Sequence, residues 1–117
     1  MKAIDGRVEQ IMTRRQWLFH SLAERLGWGE LQGVDFSMGE PRRVDRVIER
    51  GKSGGVSPKT ATRAAQLDDG LFRAWIHQKW AEFFEDSRRD GHIRLKVLKL
   101  QEGLPASWDW DRGGVDI

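Results

Sequence analysis

Residues 71–85 read LFRAWIHQKWAEFFE and form the most apolar stretch of this 117-residue chain. The spacing of the large side chains predicts one amphipathic helix. The expected core anchors are Leu71, Phe72, Trp75, Ile76, Trp80, Phe83 and Phe84. A second broad apolar face, between residues 6 and 27, predicts another helix, and Thr13 with Gln16 forms a capping box that can start it. We expect these two helices to pack on each other and to hold the domain together.

Two shorter stretches carry strand patterns. Residues 34–38 alternate strictly between apolar and polar side chains, which predicts a half-buried strand. A competing signal overlaps its end, because Ser37 and Glu40 form a second capping box before Pro41 and predict a helix that runs to Arg50. Alternation over residues 93–97 favours a strand over a helix, and residues 108–111 can pair back on it as a hairpin.

These elements predict a mainly α protein with a small β-sheet, in the α+β class. We expect a single domain of about four helices over residues 1–112, followed by a flexible tail at 113–117. The order of helix, short strand, two helices and two strands is winged-helix-like. The sequence itself shows no internal repeat.

Composition bounds the class of protein. The chain is 38% hydrophobic and 32% charged, which allows one modest core under a heavily charged surface. It contains no cysteine, so disulfides and thiolate metal sites are excluded. The first residues lack the apolar core of a signal peptide, and no apolar run is long enough to span a membrane. We therefore expect a cytoplasmic protein of bacterial or phage type that does not enter a membrane.

Positive charge is concentrated in residues 42–63. That segment holds seven basic residues against Asp45 and Glu49, for a local charge of +5, whereas the whole chain carries only +2. A basic segment in an otherwise acidic chain indicates a surface for a polyanion, of which nucleic acid is the commonest. The seven basic residues are Arg42, Arg43, Arg46, Arg50, Lys52, Lys59 and Arg63.

Residues 55–64, GVSPKTATRA, resemble the turn and recognition helix of helix-turn-helix proteins. Ser57 would cap the helix and Pro58 would occupy its first position. The resemblance implies that Lys59, Thr60, Thr62 and Arg63 face the groove or the phosphates of duplex DNA. The preceding residues depart from the family pattern, since Arg50, Gly51 and Gly54 stand where the family has a small residue and aliphatics. The alternative is an ordinary capped helix with a solvated charged face.

The sequence offers no catalytic arrangement. Gly51-Lys52-Ser53 lacks the earlier glycine of a phosphate-binding loop, because Arg46 occupies that position. His20 and Glu24 are one helical turn apart and could share a metal, but such pairs are far more often surface polar pairs. No nucleophilic elbow or catalytic cysteine is present. We expect no enzyme activity, no cofactor and no metal.

Two functions remain open. The leading interpretation is a small nucleic-acid-binding accessory or regulatory protein that uses residues 42–63, most naturally on duplex DNA. The alternative is a non-enzymatic protein-binding module or inhibitor acting on a larger, nucleic-acid-handling partner or complex. It would use Trp108 and Trp110, which Asp109 and Asp111 make a poor surface for phosphate. The sequence leaves the oligomeric state open.

Overall fold

The computed structural model describes residues 3–4, 6–50 and 70–117. The described chain forms seven strands and two helices in two antiparallel sheets. Their bounds are β1 Ala3–Ile4, β2 Arg7–Thr13, α1 Arg14–Leu26, β3 Gly29–Ser37, β4 Glu40–Glu49, β5 Leu71–His77, α2 Gln78–Arg88, β6 His92–Gln101 and β7 Leu104–Asp111. The strand orders are β1-β2-β5 in the small sheet and β4-β3-β6-β7 in the large sheet.

The predicted fold class is wrong. The described residues are mostly strand, with two helices in place of about four, and the winged-helix arrangement is absent from them. The capping box of Thr13 and Gln16 is confirmed, and so are the strands predicted at 34–38 and 93–97 and the hairpin that pairs β6 with β7. The helix predicted from Pro41 to Arg50 is wrong, because this stretch forms β4.

The helical spacing of β4 has a structural cause. Gly33 has a φ of +64°, a left-handed conformation that side chains disfavour, and it interrupts the alternation of β3. As a result, Leu31 and Val34 both face the core although they are three residues apart. Their partners on β4, Val47 and Val44, follow the same spacing. Apolar side chains three residues apart are also typical of one face of a helix. The sequence of β4 therefore predicts a helix although the segment forms a strand.

The apolar stretch at residues 71–85, which predicts a single helix, is divided between a strand and a helix. Residues 71–77 form β5, and the predicted helix begins only at Gln78. The side chain of His77 caps α2, because its Nδ1 accepts a hydrogen bond from the backbone N–H of Lys79 at 3.1 Å. Thr13 caps α1 in the same way, accepting from the N–H of Gln16 at 3.1 Å.

The chain contains a repeated β-α-β-β unit that the sequence does not reveal. β2, α1, β3 and β4 form the first half, and β5, α2, β6 and β7 form the second. β5 begins at 71 against 7 for β2, and α2 at 78 against 14 for α1, so equivalent residues differ by 64 in number. The equivalent strands β2 and β5 pair antiparallel with each other, and so do β3 and β6. Antiparallel pairing of equivalent strands indicates that an approximate two-fold axis relates the two halves.

One hydrogen bond is repeated in both halves. The side chain of Gln16 donates to the carbonyl of Gly39 at 2.8 Å, and the indole of Trp80 donates to the carbonyl of Gly103 at 3.0 Å. Each bond ties the first turn of a helix to the hairpin turn of its own half. Both glycines have positive φ, and their replacement would be strained.

The core lies where the helices meet the inner face of the large sheet. The ring of Phe83 on α2 stacks on Phe19 of α1 at 6.0 Å and meets Phe36 of β3 at 5.9 Å. Met12 and Ile76 add the inner face of the small sheet to the same cluster. The predicted packing of the two helices is therefore present, but both sheets share the core with them.

Candidate binding surfaces

The basic segment lies partly on the large sheet. Arg42, Arg43 and Arg46 belong to β4, an edge strand, and Arg50 follows directly after it. The remaining predicted contacts lie outside the described residues. They are Lys52 of the basic segment and, from the predicted recognition helix, Lys59, Thr60, Thr62 and Arg63. The arginines of β4 are therefore presented by a strand and not by a helix.

Three of these four arginines form ion pairs. Arg42 lies 3.2 Å from Glu40, Arg43 lies 3.1 Å from Asp45, and Arg50 lies 2.9 Å from Glu30. A hydrogen bond from Gln32, together with the charge of Arg50, lowers the pKa of the Glu30 carboxyl. Each paired carboxylate competes with a phosphate for its arginine, which weakens the expected attraction for nucleic acid.

A further ion-pair cluster occupies the middle of the outer face of the large sheet. Arg94 of β6 bridges Asp35 at 2.6 Å and also contacts Asp45 of β4. Hydrogen bonds to Asp45 and Asp35 raise the pKa of this guanidinium above its usual range. A Cβ at Gly33 would lie 2.8 Å from the Arg94 guanidinium and 2.6 Å from the Asp45 carboxylate, so the glycine leaves room for this pairing.

Three cations on the large sheet form no ion pair within the part of the chain that the structure describes, although the charge of Lys99 helps to lower the pKa of the Glu30 carboxyl. Arg46, Lys96 and Lys99 form no ion pair with any residue that the structure describes, and all three are exposed. Arg46 and Lys99 project from the outer face, since Arg46 pairs with Gln32 in the ladder and Lys99 pairs with Glu30. These side chains are the part of the basic surface that is available to a polyanion.

The predicted partner site at Trp108 and Trp110 is mostly internal. Both side chains lie on β7 and are half-buried against Phe83, with Trp110 stacked on its ring at 5.6 Å. Both indole N–H groups donate to the same oxygen of Asp86, at 2.8 and 2.7 Å. Their role in binding a partner stays a prediction, but the structure explains them as a support for α2 on β7.

A surface that the sequence did not indicate lies on the outer face of the small sheet. Ile11 is 51% exposed, Leu71 is 71% exposed and Trp75 is 45% exposed. Arg73 pairs with Glu9 at 3.2 Å between them. We call these five side chains the ribbon face. Leu71 and Trp75 were expected in the core. The one signal against this in the sequence is Arg73, which lies two residues from each and so shares their face if the stretch is a strand.

The ribbon face borders β5, an edge strand of the small sheet as far as the structure describes the chain. Ile11 lies opposite Arg73 in the ladder, so Leu71 and Trp75 are its diagonal neighbours, within reach of large side chains. Among the described strands, β5 has a neighbour on one side only. Its other side presents backbone N–H and C=O groups that a further strand could pair with.

The histidine singled out in the sequence is buried. His20 lies between the rings of Trp17 at 5.0 Å and Trp80 at 5.1 Å. Its Nδ1 is 3.4 Å from a Glu24 carboxylate oxygen but forms no hydrogen bond. Burial, aided by the charge of Arg7, lowers the pKa of His20 to about 4. Over the described residues, no group of three or more metal-ligating side chains occurs.

The comparisons with known proteins add no assignment. No protein-family model, no curated protein and no solved structure matches this chain. Neither described helix is long and apolar enough to cross a membrane.

Proposed function

We propose that this protein is a non-enzymatic protein-binding module that captures an extended segment of a partner through the ribbon face and the free edge of β5. The observation that carries the proposal is the exposure of Ile11, Leu71 and Trp75 side by side on a sheet face. Exposed apolar clusters of this kind are characteristic of protein-binding surfaces. Tryptophan is also the residue most enriched among side chains that dominate binding energy.

The free edge defines the form of the partner. An added strand would pair its backbone with β5, while alternate side chains would lie over Leu71 and Trp75. The ion pair between Glu9 and Arg73 would supply charged contacts at the centre. This proposal needs no contact from the interior tryptophans of β7.

Capture on the immobilised protein, followed by affinity measurement with the captured partner, tests the proposal. Leu71→Thr and Trp75→Thr retain strand preference, and we expect each to weaken binding more than ~10-fold. Val115→Thr, which alters an exposed apolar side chain in the tail, is the matched control. Amide exchange of residues 71–77 should slow in the complex. Capture of nothing, or equal affinity of all variants, would refute the proposal.

A second candidate function is nucleic-acid binding by the outer face of the large sheet. It rests on the unpaired cations Arg46, Lys96 and Lys99. Binding to duplex DNA should strengthen as the salt concentration falls and should be measurable at ~50 mM, where the electrostatic attraction is only weakly screened. Arg46→Ala and Lys99→Ala should each lower the slope of log affinity against log salt by ~1, and Arg25→Ala on α1 should not. No affinity at that salt concentration would exclude this function.

A further inference from the structure

A groove lies between α2, the inner face of β2 and β7, away from the ribbon face. Its cavity volume is about 530 Å³, within the range of about 300–1,000 Å³ that is common for small-molecule sites. Its apolar lining includes Val8, Ala81 and Trp108, and its polar lining includes Gln10, carboxylates of α2 and the cation Arg89. The walls therefore combine apolar surface with hydrogen-bond acceptors and one positive charge.

The charged lining is acidic on balance, with three carboxylates against Arg89. Glu82 is exposed and forms no ion pair with any described residue, whereas Glu85 is 3.5 Å from Arg88. Burial alone would raise the pKa of the Asp86 carboxyl, but the indole N–H groups of Trp108 and Trp110 and the nearby arginines lower it overall. Arg89 approaches Asp86 at 3.6 Å. In the groove, hydrogen bonds from two indole N–H groups hold the Asp86 carboxylate in place. The Glu82 carboxylate has no ion-pair partner among the described residues.

Gln10 adds a neutral polar side chain to the groove. Its side chain lines the groove and is only 7% exposed. Its carboxamide forms no hydrogen bond to any residue in the described part of the chain, and its polar atoms are not sealed from solvent. A polar group bound in the groove could therefore form a hydrogen bond with this carboxamide without breaking one within the protein.

We propose that the groove binds a guanidinium or primary ammonium group carried on an alkyl chain. The cation would donate hydrogen bonds to the carboxylates of Glu82 and Asp86 and to the carbonyl oxygen of Gln10, and such charge-assisted bonds are strong. Its alkyl chain would lie against Val8 and Ala81. The Trp108 ring lines the same wall and suits a cation.

Comparison with the equivalent positions in α1 shows why only one half offers this chemistry. Trp17, Leu18 and Leu22 stand 64 residues before Ala81, Glu82 and Asp86. The first half therefore carries a large ring and two aliphatic side chains where the second half carries a small residue and two carboxylates. At the groove, the second half therefore has less apolar volume and more negative charge than the first half has at the equivalent positions.

A nuclear magnetic resonance titration with n-butylguanidinium tests the site. The probe should produce saturable shifts of the Gln10 carboxamide and the Trp108 indole N–H, with half-saturation at or below ~1 mM. The uncharged analogue n-butylurea should bind at least ~10-fold more weakly, since a hydrogen bond to a charged group exceeds a neutral one. A blocked glycine peptide with one central arginine distinguishes the source. If only the peptide binds, the ligand is an arginine side chain of a partner protein. If both probes bind, a free alkyl cation is sufficient for binding.

Two variants locate the binding. Glu82→Gln should weaken the probe at least ~10-fold without altering the fold, because Glu82 is exposed. Ala81→Trp, which copies Trp17, should fill the groove and abolish binding with every charge intact. Glu49→Gln on β4 removes an exposed carboxylate elsewhere and should change nothing. Absence of saturable shifts with either probe up to ~10 mM, equal binding of the urea, or full binding by Glu82→Gln would overturn the proposal.

Discussion

The two halves of the chain follow one backbone route with different side chains. Phe19 and Phe83 are identical and stack on each other, and Pro41 and Pro105 follow equivalent hairpin turns. Most other equivalent positions differ, including Gln16 against Trp80, which nevertheless make the same bond to a hairpin carbonyl. The architecture therefore depends on a few contacts, and the remaining positions are free to carry surface chemistry.

The differences fall on the helices. α1 places His20 in the core where α2 places Phe84, so the first half contains a buried titratable group and the second does not. α2 exposes Glu82 where α1 has the half-buried Leu18. The first half is thus more sensitive to acid, and the second carries the acidic groove. Each contrast can be tested by exchanging equivalent residues.

The largest expected effect separates the two stacked phenylalanines. Among the side chains that the structure describes, Phe83 contacts six aromatic rings, which are those of Phe19, Phe36, Trp80, Phe84, Trp108 and Trp110. We expect Phe83→Ala to lower the free energy of unfolding by ~4–5 kcal/mol and Phe19→Ala by ~3 kcal/mol. Urea unfolding measures both. Equal losses in the two variants would mean that Phe19 and Phe83 contribute equally to the core, so that the core is centred on the two-fold axis between them.

The next effect concerns pH. The folded-state pKa of His20 is about 4, against an ordinary value of 6.5. The unfolded chain therefore binds a proton that the folded chain excludes, and stability is lost as pH falls from about 6.5 to about 4. Complete loss of this contribution corresponds to about 3 kcal/mol. Glu24 opposes it partly, because burial raises the pKa of its carboxyl despite the charge of Arg7.

His20→Phe, which copies Phe84, should remove this acid sensitivity. The variant and the parent should differ by up to ~3 kcal/mol more at pH 4 than at pH 7 in their free energies of unfolding. His92→Phe, at an exposed position on β6, provides the control. An unchanged pH profile in His20→Phe would show that the buried histidine does not titrate as the geometry indicates.

Local signals were predictable from sequence wherever they depend on neighbouring residues. The capping box at Thr13 depends on contacts three residues apart, and the alternation at 93–97 is visible in consecutive residues although the strand pairs with distant ones. β4 was not found, because a kink set by Gly33 on another strand gives its apolar residues helical spacing. The repeat was missed because equivalent backbones need no equivalent side chains, as Gln16 and Trp80 show.

The candidate surfaces were less predictable than the fold. Charge density identified the arginines of β4, but their carboxylate partners lie on other strands or nearby positions that only the register defines. The exposed Leu71 and Trp75 were expected inside, because a strand that runs directly into a helix offers a continuous apolar pattern. Gln10 gave no signal, since its burial depends on α2 covering the inner face of β2.

A smaller effect tests the bond shared by the two halves. Gln16→Leu removes the donor to the buried Gly39 carbonyl and half of the capping box, at an expected cost of ~1–3 kcal/mol. Gln32→Leu is the matched control, because its amide bonds only to Glu30 on a partly exposed face, and it should change stability by less than ~0.5 kcal/mol. Thermal and urea unfolding compare the pair. Similar losses would mean that the hairpin carbonyl does not need this donor.

The smallest effect tests whether the two hairpin turns are equivalent. Met38 and Glu102 have φ values of 54° and 52°, and each precedes a glycine with positive φ. Two-residue turns with this backbone favour Asn-Gly, because asparagine tolerates the left-handed region better than most residues. Met38→Asn and Glu102→Asn should therefore each raise the free energy of unfolding by ~0.5 kcal/mol. Glu49→Asn in an extended strand should instead lower it slightly, since asparagine is disfavoured in strands. If only one of the two variants raises the free energy of unfolding, the two turns share a backbone path but do not store the same conformational strain.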